Sequence, residues 1–196
     1  MARLSALFTS FLAVVGNVSA QYSPNATYAI AKVTNYFIST LELQAETKKI
    51  GTASCALYLI NMGPYTTIFP ILNTITSTFN ESYRQIVNFQ PRLDATIPGD
   101  VAAGADIVYF LTAATIEIGT ALDKMTQTGT ANLCSLPLLG KRIKTALENL
   151  QTVSRPFYYS LSTYNAPQGI TVAQQLLTFE GDIENAIKAY TSPVEV

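Results

Sequence analysis

The chain has 196 residues, 48% of them apolar, with 12 basic and 13 acidic side chains, a net charge of -1 and no histidine. A charged fraction of 13% is about half that of an ordinary soluble domain; with no basic cluster in the sequence, nothing stands ready to neutralise a nucleic-acid backbone or grip an anionic membrane. The missing histidine excludes Ser-His-Asp and Cys-His catalysis and removes the commonest metal ligand.

Residues 1–20, MARLSALFTSFLAVVGNVSA, place one positive charge, Arg3, before an apolar run from Ala6 to Val15 and end on Val18-Ser19-Ala20. This layout predicts a secretory signal peptide cleaved before Gln21, because the apolar core is shorter than the roughly 20 residues a membrane span needs. A single domain, residues 21–196, is expected to follow, carrying 11 basic groups once Arg3 is removed against 13 acidic ones. No second long apolar run is read in it, and Ser192-Pro193-Val194-Glu195-Val196 carries no hydrophobic tail, so neither a transmembrane nor a lipid anchor is expected. An oxidising secretory route favours a disulfide between the two cysteines, Cys55 and Cys134. Closing a loop of that length restrains the unfolded chain by roughly 4.5 kcal/mol. A redox pair would want Cys-x-x-Cys spacing or a basic flank, and neither is present. Asn25-Ala26-Thr27 and Asn80-Glu81-Ser82 fit the N-glycosylation pattern.

The first predicted helix runs from Pro24 to about Lys49, with Ile30, Val33, Phe37, Leu41 and Ala45 at steps of three and four, and Gly51 ends it. Thr52 to Gly63 has no clear period; a helical turn or short helix around Cys55 is expected. The second helix is predicted over Pro64 to Phe89, carried by Tyr65, Ile68, Leu72, Ile75, Phe79, Tyr83 and Ile86. A third follows Ile97-Pro98-Gly99, with Asp100 as its N-cap and Val101, Val108, Leu111, Thr115, Ile118, Leu122 and Met125 on one face. Gly104 and Gly119 lie on or near that face, where small residues let helices approach, and Gly129 is expected to break the helix. The fourth spans Leu139 to Tyr164 and bends at Pro156. The fifth opens with a capping box, Thr171 and Gln174, and stops before Pro193. Period-two alternation is never sustained and no Asn-Gly or Asp-Gly hairpin turn occurs, so strands lose to helices. The predicted fold is an all-α, up-and-down bundle of about five amphipathic helices with one disulfide.

Few residues point to chemistry. Glu42 and Glu46 share a helix face, and Glu180, Asp182 and Glu184 cluster, but solvated helix faces explain both groups. Calcium would need more oxygen ligands on a tight glycine-turned loop. Lys141, Arg142 and Lys144 read as a basic helix face. No nucleophile elbow, phosphate loop or dinucleotide fingerprint is present, so no cofactor, metal or catalytic residue is assigned and the chain reads as a non-enzyme. The aromatic load stands out instead. Tyr65, Phe69, Phe79, Tyr83, Phe157, Leu161 and Tyr164 are candidates to line an apolar pocket between helices.

The plan of signal peptide, one disulfide and amphipathic helices is similar to that of several groups of small secreted helical proteins, among them insect secreted proteins and fungal surface-binding or lipid-binding mannoproteins. No motif matches residue by residue, and no site is carried over. The leading expectation is a secreted binding protein holding a lipid or other small apolar ligand between its helices. An extracellular interaction protein with an exposed apolar face is the alternative, and a carboxylate-only enzyme ranks third because so few titratable groups are present.

Overall fold

The structure, a computed structural model, describes residues 22–130 and 137–191; the predicted signal peptide and Cys134 lie outside them. Its α-helices are α1 (Pro24–Thr47), α2 (Ser54–Leu59), α3 (Tyr65–Ile86), α4 (Pro98–Thr130), α5 (Pro137–Tyr164) and α6 (Gly169–Ala189), and a 3-10 turn, Ala166–Gln168, leads into the last. No strand occurs among the described residues. The all-helical expectation holds, with five long helices and one short one around Cys55.

At the start of α1, the Ser23 Oγ accepts the Ala26 amide at 3.2 Å, and Pro24 follows where its missing N–H costs nothing. Ile30 and Val33 are buried as expected, but further along α1 the buried face turns: Tyr36 and Leu43 are buried, Phe37 and Leu41 half-buried, and Ala45 exposed. Threonines account for the difference. Thr40 and Thr47 donate their hydroxyls to the Phe37 and Gln44 carbonyls at 2.7 and 3.0 Å, so these polar residues are satisfied within the helix and can face the core.

Several helix ends depart from the sequence reading. α4 continues through Gly129 to Thr130 instead of breaking there. Thr126 and Thr128 turn their hydroxyls back onto the Leu122 and Lys124 carbonyls, both at 2.8 Å, which keeps the polar groups of the last turns inside the helix. Asp100 sits in the first turn of α4 rather than at its cap, and its carboxylate accepts the Asp94 amide at 3.0 Å. α6 starts at Gly169, straight out of the 3-10 turn; Thr171 is therefore already inside the helix and the expected capping box does not form. α5 runs through Pro156, and α3 runs through Pro70, a residue the periodic pattern passes over. Over Pro98–Thr128, α4 is also long and apolar enough by composition to cross a membrane, a run missed in the sequence; 39% of its most apolar window is buried in the bundle.

The five long helices close a ring. α1 packs on α3 and α4, α4 on α6, α6 on α5, and α5 on α3. Tyr28 meets Phe89 and Tyr36 meets Phe79, so α1 and α3 are antiparallel. Phe79 meets Phe157 and Phe89 meets Tyr164, so α3 and α5 run the same way. Asn165 bonds to Gly104 and Tyr190 to Met125, which makes α4 and α6 parallel too. Chain direction alternates up and down from one long helix to the next, but spatial neighbours are not all sequence neighbours. The arrangement gives the bundle two distinct ends. Tyr28, Phe89 and Tyr164 meet at one; α2, Tyr65, Phe69 and Arg142 meet at the other.

Candidate functional site

Each long helix sends a side chain into the middle of the ring. Tyr36 from α1, Phe79 from α3, Phe157 and Tyr158 from α5 and Phe179 from α6 are all fully or almost fully buried, and Thr115 from α4 joins them. Phe79 and Phe157 stack at 4.3 Å, Tyr158 and Phe179 at 6.0 Å, and Tyr36 stands edge-on to Phe79 at 4.7 Å. Such ring pairs contribute about 0.5–1.5 kcal/mol beyond their area burial. Three hydroxyls run through the cluster in a fixed order. Thr115 gives its single hydrogen to the Leu111 carbonyl at 2.9 Å, so it accepts from Tyr158 at 3.3 Å, and Tyr158 in turn accepts from Tyr36 at 3.4 Å. Burial pushes the Tyr158 hydroxyl up to about 12 and raises that of Tyr36 well above its ordinary range.

A cleft of about 250 Å³ opens in the seam between α3 and α5. Tyr83, Ile86 and Val87 form its α3 wall, Tyr159, Ser160, Thr163 and Tyr164 its α5 wall, and Phe89, Gln90 and Arg92 of the connector close its end. Ile86, Ser160 and Tyr164 are buried at its floor, whereas Val87 and Tyr159 stand exposed at its rim. The Tyr164 ring is held edge-on by Phe89 at 5.3 Å, and the Leu93 amide donates to the Tyr164 carbonyl at 3.0 Å. Arg92 is the one charged residue of the lining. The cleft is therefore a mainly apolar, tyrosine-edged groove with Arg92 as its one cation.

The seven predicted pocket residues do not all meet at this cleft. Tyr83 and Tyr164 line the cleft, while Phe79, Phe157 and Leu161 are fully buried in the packed interior. Tyr65 and Phe69 lie at the opposite end of the bundle beside Tyr58. A helical period ranks residues around an axis but does not say at which height along the bundle two helices meet. Tyr36, Phe179, Ser160, Thr163, Phe89 and Arg92 were not picked out. The spacing of Tyr83 and Val87 on α3 could have revealed the outward α3 wall, as could that of Tyr159 and Thr163 on α5.

The acidic candidates are dispersed. Glu180 accepts from Arg155 at 2.9 Å, Glu184 pairs with Lys188 at 2.8 Å, Glu46 pairs with Lys49, and Glu42 is exposed. Burial raises the Asp182 carboxyl, helped by Asp123. The bonds Asp94 accepts from the Thr96 amide and hydroxyl lower its carboxyl. None of these acids lines the cleft. Cys55 is buried at the start of α2, and its expected partner, Cys134, lies outside the described residues. Asn80 is exposed on α3; Asn25 is half-buried and donates to the Gln90 carbonyl at 3.3 Å.

No protein family and no curated protein sequence matches the chain. Its fold is similar to a solved structure, that of Afmp4p in complex with palmitic acid, with a TM-score of 0.67 at 13% sequence identity over 85% of this chain and 99% of that one.

Proposed function

We propose that the protein is a secreted, non-enzymatic carrier that binds one fatty acid or a similar single-chain lipid, with the acyl chain in the α3–α5 cleft and the carboxylate beside Arg92. The observation that carries this reading is the cleft, a mainly apolar groove of about 250 Å³ with Arg92 as the one cation in its lining. Ligand sites are mostly apolar with a few placed polar groups, and this cleft lies just under their usual volume of roughly 300–1,000 Å³, so it has room for at most one chain. The fold shared with the palmitic acid complex of Afmp4p supports it. Secretion rests on the sequence of residues 1–20, and the Cys55–Cys134 bridge and glycans at Asn25 and Asn80 belong to the same reading. Native mass spectrometry of the delipidated protein mixed with palmitic acid tests it. A complex of one protein with one palmitic acid is expected; the apoprotein alone under conditions that preserve its fold would refute the reading.

A second reading, an extracellular interaction protein, is favoured by the outer stripe of α4. Val101, Tyr109 and Ile116 are 45%, 68% and 61% exposed there, at steps of eight and seven.

A further inference from the structure

At the end of the bundle away from the cleft, the chain leaves α2 through Leu59-Ile60-Asn61-Met62, and the three apolar side chains are 66%, 65% and 56% exposed. Leu138, in the first turn of α5, is 78% exposed. Isolated exposed aliphatics are ordinary, but three within four residues at a protruding turn are not. The backbone fixes this display. Asn61 and Gly63 take left-handed φ values of 58° and 82°, and the Met62 amide donates to the Leu57 carbonyl at 2.9 Å, which closes the turn beneath the exposed side chains. Before the turn, Tyr58 of α2 anchors it, its ring packed against Tyr65 and Phe69 and covered by the Arg142 guanidinium at 5.6 Å.

Cations lie at the same end of the bundle, with the Arg142 guanidinium over the Tyr58 ring. Lys48 caps α1 and Lys49 follows it, ten residues before the tip, and Lys141, Arg142 and Lys144 lie in the first turns of α5. Glu46 pairs with Lys49 and Glu148 with Lys144, which leaves Lys48, Lys141 and Arg142 in excess. In the sequence these are two short basic runs, Lys48-Lys49 and Lys141 to Lys144, and the fold carries both to one end of the bundle. We infer that the α2 tip is a membrane-docking element: Leu59, Ile60 and Met62 enter the interface of an anionic phospholipid bilayer while Lys48, Lys141 and Arg142 meet its headgroups. Apolar side chains above a basic collar are the combination that holds a peripheral protein at such a surface, and the cations set its preference for anionic lipid. From Arg142 to Tyr159, α5 rises about 25 Å, so the docked tip leaves the cleft clear of the bilayer.

Flotation with vesicles of phosphatidylcholine, with and without phosphatidylglycerol, tests the inference on the mature chain. The protein should float with the anionic vesicles, release in high salt, and stay behind with phosphatidylcholine alone. Each of Lys48→Gln and Lys141→Gln should weaken partition about five-fold, and the double variant L59D/I60D should abolish it. Since the chain has no tryptophan, Met62→Trp gives a single probe whose emission should shift to the blue on anionic vesicles, whatever the folding of the double variant. Absence of flotation, equal flotation on neutral vesicles, unshifted emission, or self-association of the protein through the tip would each overturn the inference. Palmitic acid binding measured without vesicles should be unchanged in L59D/I60D, so the docking and the ligand reading fail separately.

Discussion

The hydroxyl of Tyr158 occupies the one place in the core where a polar group is required on both sides: it accepts from Tyr36 and donates to Thr115. Tyr158→Phe removes one oxygen and leaves both neighbours short of a partner, so a loss of about 1 kcal/mol is expected in denaturant unfolding. Phe157→Ala, which removes a stacked ring, should cost about 3–5 kcal/mol in the same experiment. The tyrosine also sets an alkaline limit. Its proton is held up to about 12 in the folded chain against 10.0 in the unfolded one, so the stabilisation is fully present below pH 10 and is lost as pH rises toward 12. The unfolded chain ionises first and the balance moves by about 3 kcal/mol. Urea midpoints should fall through that window in the wild type and fall less in Tyr158→Phe; parallel profiles would show that the hydroxyl is not the titrating group. Arg92 has a different role. If it meets a carboxylate in the cleft, Arg92→Gln should weaken palmitic acid about ten-fold or more and leave hexadecanol unaffected, since a charge-assisted bond is worth about 1.5–3 kcal/mol.

Two glycines test how the helices approach one another. A Cβ on Gly104 would stand 2.6 Å from Asn165 Oδ1, and Asn165 is buried with its own amide bonded to the Gly104 carbonyl at 2.9 Å. A Cβ on Gly119 would meet Asp182 Oδ2, also at 2.6 Å, but that carboxylate is the end of a half-buried side chain that can turn outward. Gly104→Ala should therefore destabilise by about 1–3 kcal/mol. Gly119→Ala should be close to neutral, because helix propensity returns about 1 kcal/mol. Equal losses in thermal unfolding would contradict this distinction. Both glycines were legible in the sequence as packing positions, and so were the five long helices, because steps of three and four survive any tertiary arrangement. The turned face of α1 was not, since counting aliphatics misses threonines that satisfy themselves. The start of α6 was missed because a 3-10 turn has no periodic signature.

At the scale of the whole molecule, the sequence announced an aromatic-rich helical interior but not where any space lies within it. Phe79 and Phe157 fill the ring by stacking on each other; the groove is displaced to the seam that Tyr83 and Tyr164 edge. That seam joins helices adjacent in space with α4 between them in the chain, so local pattern could not place it. The basic runs at 48–49 and 141–144 were legible singly, but not that the ends of α1 and α5 lie at one end of the bundle. The proposed function requires the seam to take an acyl chain out of water. Calorimetric titration of palmitic acid into the delipidated protein at several temperatures, beside a Thr163→Phe variant that fills the half-buried wall, measures this directly. Saturation at one ligand per chain with a negative heat-capacity change, lost in Thr163→Phe, is the predicted result. Absence of saturable binding, or binding that Thr163→Phe leaves intact, would contradict it.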